Sequence, residues 1–144
     1  RITAEEWLRQ CREGVPALQA ISDSSFWAAF RSIIGPDQPG MGELTRRWVK
    51  AGYQLIFFSN TSSVHAEEVW RTITFAERIS GGVYSYEVGC MKPDPAIYQA
   101  FEQRYGRPVL YLDDNSANVE QGLKVGWPAR LFTGTDELLQ EYGK

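Results

Sequence analysis

At 144 residues, with 43% hydrophobic and 13% aromatic content, the chain carries enough apolar side chain for one packed domain, which excludes disorder. A net charge of −3 and a pI near 5.2 argue against nucleic acid as the main partner, and no apolar run approaches the ~20 residues that span a bilayer. Cys11 and Cys90 stand far apart without metal-ligand spacing, as expected of reduced thiols in a cytoplasmic protein.

The first forty residues read as helical. Thr3 with Glu6 makes a capping box for a helix with Trp7, Leu8 and Cys11 on one face, ended by Gly14 to Pro16. A second helix is expected from about Ser24 to Ile34, with Asp23 as N-cap and Phe26, Trp27, Phe30 and Ile33 along it. Aromatic residues in such a pattern belong to a core more often than to a substrate site. Gly35-Pro36-Asp37-Gln38-Pro39-Gly40 breaks the chain and reads as a hinge.

From Met41 onward helix and strand alternate. A helix over Gly42 to Lys50 buries Leu44 and Trp48, and Gly52 closes it. Strands are expected over Tyr53–Phe58, Val83–Tyr86, Val109–Leu112 and Ala129–Phe132. Helices are expected over Ser63–Ile73, Pro95–Tyr105, Ser116–Val125 and Glu137–Tyr142. Short apolar strands alternating with helices predict an α/β fold, a doubly wound parallel sheet with right-handed crossovers.

The chemistry concentrates at strand ends. Val109-Leu110-Tyr111-Leu112 runs into two adjacent carboxylates, Asp113 and Asp114, followed by Asn115 and Asn118. An open α/β sheet places its ligand site at such an end. Neighbouring acids repel unless a cation or hydrogen-bond donors offset their charge, and a hard divalent metal such as Mg²⁺ would do so. The plainer alternative is that Asp114 or Asn115 caps the following helix. Upstream, Leu55-Ile56-Phe57-Phe58 ends in Ser59-Asn60-Thr61, and Gly89-Cys90-Met91-Lys92-Pro93-Asp94-Pro95 opens another helix.

A strand ending in Ser-Asn-Thr, a Lys-Pro-Asp-Pro run and a strand ending in Asp-Asp, in that order, resemble the second, third and fourth motifs of the haloacid dehalogenase superfamily. The resemblance covers roughly residues 40 to 133. Ser59-Asn60-Thr61 with His65, and Asp113-Asp114-Asn115 with Asn118, look most like the small-cap sugar-phosphate phosphatases of the glucose 1-phosphate type. It implies a partial helical cap over 1–39 and an α/β core over 40–144.

The family's first motif, a strand ending in Asp-x-Asp-x-Thr that carries the nucleophile and the general acid/base, has no counterpart before residue 50. Ala20-Ile21-Ser22-Asp23-Ser24-Ser25 is the nearest string and has Ser where the second Asp belongs. The sequence begins at Arg1 and has no methionine before Met41. Both facts lead us to expect the downstream portion of a longer protein, with an upstream segment needed to complete the fold. By the resemblance, the absent strand would lie between those ending at Ser59 and Asp113. Its absence would leave on the order of ten backbone groups unpaired, at ~1 to 3 kcal/mol for each one buried. The chain alone is therefore expected to fold poorly and to show no phosphatase activity.

The reaction implied is hydrolysis of a small-molecule phosphate monoester through an aspartyl-phosphate. The resemblance makes Asp113 a direct Mg²⁺ ligand, and Asp114 a second metal-site acid that fixes metal waters or holds Lys92. Lys92 would offset carboxylate charge and contact phosphate, on a loop stiffened by Pro93 and Pro95. The Ser59 hydroxyl and the backbone N–H groups of Asn60 and Thr61 would donate to phosphate oxygens. In a plainer reading this stretch only caps the next helix. His65 would touch substrate or order the Ser59 loop, though a helix-start histidine is more often structural, and Asn118 would hydrogen-bond around Asp114. Two alternatives compete. A non-catalytic phosphate-binding remnant keeps the site without the chemistry, and a haloacid dehalogenase needs no metal and lacks the paired acids.

Overall fold

The computed structural model describes residues 3–142; positions 1–2 and 143–144, the outermost ends of the two expected regions and including Arg1, lie outside the described residues. Eight α-helices and four strands follow one another among the described residues: α1 Ala4–Gly14, α2 Asp23–Arg31, α3 Met41–Lys50, β1 Leu55–Ser59, α4 Ser63–Thr72, β2 Ile79–Tyr84, α5 Ser85–Val88, α6 Pro95–Tyr105, β3 Tyr111–Asp113, α7 Ser116–Lys124, β4 Ala129–Leu131 and α8 Asp136–Glu141. No described helix is long and apolar enough to cross a membrane.

The helix starts follow local chemistry. The Thr3 side chain accepts from the Glu6 N–H, as the capping box requires. In α2 the cap is Ser22, whose hydroxyl accepts from the Ser25 N–H, and Asp23 is the first helical residue. That corrects the expected cap by one position. Both residue types cap well, so the choice falls to backbone geometry. Gly40 precedes α3 at φ 83°, and a Cβ there would meet the Thr135 side chain at 2.4 Å. Left-handed backbone and close approach both select glycine.

The strand pairing is parallel throughout, as expected, but it forms two separate pairs. β1 pairs with β2, and β3 pairs with β4, with a register running Phe58↔Val83, Ser59↔Tyr84 and Asp113↔Leu131. Helix α4 lies between the strands of the first pair in sequence, and α7 between those of the second. Among the described residues no ladder joins β1 to β3. A cavity of about 380 Å³ lies between them, lined by Leu55–Phe58 from one side and Val109–Leu112 from the other.

Side chains span that division. Val83, Ile97, Tyr98, Phe101, Tyr111 and Trp127 form the buried core, with Phe58 packed against it. The rings of Phe58 on β1 and Tyr111 on β3 are 5.6 Å apart, and Tyr98 stands edge-on to Phe58 at 5.1 Å. Aromatic contacts of this kind add ~0.5 to 1.5 kcal/mol each beyond area burial. Gly122 on α7 lets that helix lie against the second pair, since a Cβ there would be 2.8 Å from the Tyr111 ring.

The N-terminal helices form a separate aromatic cluster. Trp7 lies 5.6 Å from Phe26 and 4.5 Å from Phe30, ring to ring. This unit touches the core through α2 and α4. The hinge between them is pinned at both ends: the Asp37 carboxylate accepts from the Thr74 N–H at 3.1 Å, and the Thr135 hydroxyl donates to the Pro39 carbonyl at 2.6 Å.

Candidate active site

The ends of β1 and β3 and the loop before α6 meet around Lys92. Its ammonium donates to Asp113 Oδ2 at 2.5 Å and to the Phe58 carbonyl at 2.7 Å. Both side chains are almost fully buried, Lys92 at 7% and Asp113 at 5% exposure. The ammonium also lies 4.9 Å from the centre of the Phe58 ring, so the cation sits against an aromatic face. One side chain from the α6 loop thus connects β1 to β3 across their unjoined edges.

Asp113 receives donors at both oxygens of its carboxylate. Besides Lys92, Tyr111 OH donates to Oδ2 at 2.7 Å, while the Asn115 N–H and Asn118 Nδ2 donate to Oδ1 at 2.9 and 3.0 Å. A carboxylate offers about four lone-pair sites, and these four donors match that number. Burial pushes the Asp113 carboxyl up, but Lys92, Tyr111 and the Asn115 N–H together hold it below the usual carboxylate value. Burial drives the Tyr111 phenol well above its ordinary value, and the Asp113 carboxylate that it donates to adds to the shift. Tyr98 OH donates to the Asn118 carbonyl at 2.7 Å and holds that residue from behind.

This arrangement changes several sequence expectations. Asp113 anchors Lys92. Asp114 is exposed and is the acid left open beside it. Asn118 bonds Asp113, not Asp114, because the first turn of α7 aims its amide back at the strand end. Asn115, whose side chain accepts from the Ala117 N–H, caps α7. Asp94, which accepts from the Ala96 N–H, caps α6, and the Lys92–Pro93 peptide before it is cis.

The stretch after β1 also differs. The Thr61 N–H donates to Ser85 Oγ at 2.9 Å. The Asn60 side chain is engaged with the backbone of Lys92. Ser62 caps α4 by accepting from the His65 N–H. Ser59 stays half-buried at the strand end with no hydrogen bond to its hydroxyl among the described residues, which leaves that group available. His65 reaches the other way: its Nε2 donates to the Phe30 carbonyl at 2.7 Å, and its ring stacks on Phe30 at 4.1 Å. It ties the N-terminal helices to α4.

Two contributors escaped sequence reasoning. Tyr111 reads as an apolar strand residue, yet it shares a strand face with Asp113 two positions on, and that spacing was the available signal. Ser85 needed the β1–β2 register, which the sequence does not supply. For a metal, the adjacent oxygen donors of Asp113 and Asp114 are of the type that a hard cation takes. Among the described residues no group of three or more His, Cys, Asp or Glu side chains is placed to hold one, so these two acids would need further ligands from outside them.

Comparison with known proteins places this geometry in context. A family model for haloacid dehalogenase-like hydrolases matches residues 1–126. A HAD family enzyme from Bacteroides thetaiotaomicron, crystallised as a magnesium complex, is similar in structure with a TM-score of 0.84 at 20% identity, over 99% of this chain and 75% of that one. An Asp-to-Ala mutant of that enzyme, in complex with magnesium and inorganic phosphate, gives 0.80 at 22% identity, over 94% and 72%. A dehalogenase with an intermediate complex gives 0.65 at 17% identity, over 74% and 56%. No curated protein matches the chain.

Proposed function

The chain belongs to the haloacid dehalogenase-like hydrolases, and from that premise we propose that it is the supporting half of a Mg²⁺-dependent phosphatase acting on a small phosphate monoester such as a sugar phosphate. The observation that carries this reading is the buried Lys92–Asp113 pair at the ends of β1 and β3, beside the free Ser59 hydroxyl. Phosphoryl transfer needs little from the protein beyond positioning and charge. Lys92 supplies a cation for the phosphoryl oxygens, and Asp113 holds it in place. Ser59 donates to a phosphoryl oxygen. Asp113 and Asp114 are the residues that would hold Mg²⁺, and the metal, when bound, would neutralise carboxylate charge that otherwise repels an anionic ester.

The attacking carboxylate belongs to a strand seated between β1 and β3. Two parallel pairs that face each other across an apolar cavity present unpaired backbone groups on both sides, and one extended strand satisfies both edges at once. An upstream segment ending in Asp-x-Asp would bring the nucleophile to the ends of β1 and β3, where Lys92 and Asp113 lie. Protection of the reaction from solvent falls to the helices of residues 1–39.

The test is turnover of a panel of phosphate monoesters and of a 2-haloacid by the intact protein, with and without a chelator. Hydrolysis of monoesters that stops on chelation and returns with Mg²⁺ is the expected result. Dehalogenation, or hydrolysis indifferent to chelation, refutes the assignment. Saturable phosphate binding without turnover would favour a binding module.

A further inference from the structure

Two side chains, one just past β1 and one just past β2, do the work of a missing ladder. Asn60 pairs with the backbone of Lys92 through both halves of its amide: Oδ1 accepts from the Lys92 N–H at 2.7 Å, and Nδ2 donates to the Lys92 carbonyl at 2.8 Å. Ser85 does the same for Thr61 with one oxygen, accepting from its N–H at 2.9 Å and donating to its carbonyl at 3.1 Å. The last backbone pair between β1 and β2 is Ser59↔Tyr84, and Asn60 and Ser85 are the residues that follow it on the two strands. A group that donates to and accepts from one residue's backbone reproduces what a neighbouring strand provides.

We propose that Asn60 and Ser85 are positioning residues that fix the chain leaving β1, Ser85 against the end of β2 and Asn60 against the loop before α6, and that Asn60 sets the place of the Lys92 ammonium. Lysine has a long flexible stem, and its bonds to Asp113 and the Phe58 carbonyl hold only if its backbone is fixed. Asn60 fixes that backbone to the end of the strand that also carries Ser59. The two groups assigned to the phosphoryl oxygens are thereby locked to each other before any substrate arrives. Ser85 holds the following residue, so the chain turns into α4 without moving Ser59. The kinetic consequence rests on the phosphatase reading, whereas the effect on Lys92 does not.

The test uses Asn60→Ala, Asn60→Asp and Ser85→Ala in the intact protein, reading the exchange of the Lys92 ammonium protons by NMR and, separately, kcat and KM on a phosphate monoester. Asn60→Ala removes both bonds, and the ammonium should exchange on the order of tenfold faster, as for loss of a hydrogen-bonded anchor. Asn60→Asp keeps the acceptor for the Lys92 N–H and should fall between Ala and wild type. It also serves if the Ala variant does not fold. Ser85→Ala should leave the Lys92 signal unchanged. In kinetics, kcat should drop on the order of a hundredfold in Asn60→Ala, the effect of misplacing a group by about 1 Å, with partial recovery in Asn60→Asp. An unchanged Lys92 signal in Asn60→Ala and Asn60→Asp overturns the proposal. So does an Asp variant worse than Ala in KM, since that is what repulsion of a phosphate touching Asn60 would produce. Absence of turnover in the wild type counts against the phosphatase reading, and the NMR result then decides this one.

Discussion

Replacing Asp113 by Asn isolates the charge in the Lys92 contact, because the amide keeps the shape and an acceptor for the Asn115 and Asn118 donors. What it removes is the counter-ion of an ammonium whose side chain is 7% exposed. Leaving one member of a buried pair uncompensated costs ~3 to 5 kcal/mol. For a domain of this size about 3 °C is lost per kcal/mol, so thermal melting at pH 7 should fall by roughly 9 to 15 °C. The double variant with Lys92→Met removes both charges and should be less destabilised than the two single losses summed, by ~1 to 3 kcal/mol. The pH dependence gives an independent check. Asp113 has a lowered pKa in the folded state, so its contribution is fully present above the usual carboxylate value near 4 and is lost as pH falls through the folded value. The gap between wild type and Asp113→Asn should therefore narrow below about pH 4. Urea titrations at pH 7 and pH 3 supply both readings. Additive single losses, or a gap constant across that range, would refute the idea that this ion pair holds the site together.

Asp114→Asn should weaken Mg²⁺ binding in calorimetry while shifting stability by no more than ~0.5 kcal/mol, as for an exposed residue; unchanged affinity would remove Asp114 from the metal site. His65→Ala removes the contact to Phe30 and should speed amide exchange in α2 and around Trp7, at a global cost of ~0.5 to 1.5 kcal/mol. Exchange unchanged there would deny that His65 ties α2 to α4. A synthetic apolar strand ending in Asp-x-Asp should raise the melting temperature with peptide concentration, by mass action on the folded form. A scrambled peptide of equal composition that works as well would dispose of the strand-shaped cavity.

The strand ends were legible because buried parallel strands read as unbroken apolar runs, and at Ser59 and Asp113 those runs stop on polar residues. β2 was misplaced, expected over Val83–Tyr86 and observed over Ile79–Tyr84, because Gly81 and Gly82 dilute its strand pattern. With that boundary shifted, the register and hence the position of Ser85 were out of reach. Asn60 illustrates a different limit. Its amide suits a phosphate oxygen and a peptide backbone equally well, and only the fold shows that the Lys92 backbone reaches it first. Asp113 and Asp114 are chemically identical neighbours, and the pleat alone separates an inward acid from an outward one.

The two strand pairs are held to each other by rings and by one ammonium rather than by peptide groups, and that has a mechanical consequence. Ladder bonds resist sliding, whereas ring contacts yield to it, so until a strand fills it the seam is the compliant direction among the described residues. Lys92 grips a β1 carbonyl on one bank and a β3 carboxylate on the other. Any breathing of the seam stretches those two bonds first, so the position of the Lys92 ammonium acts as a gauge of how tightly the halves are closed.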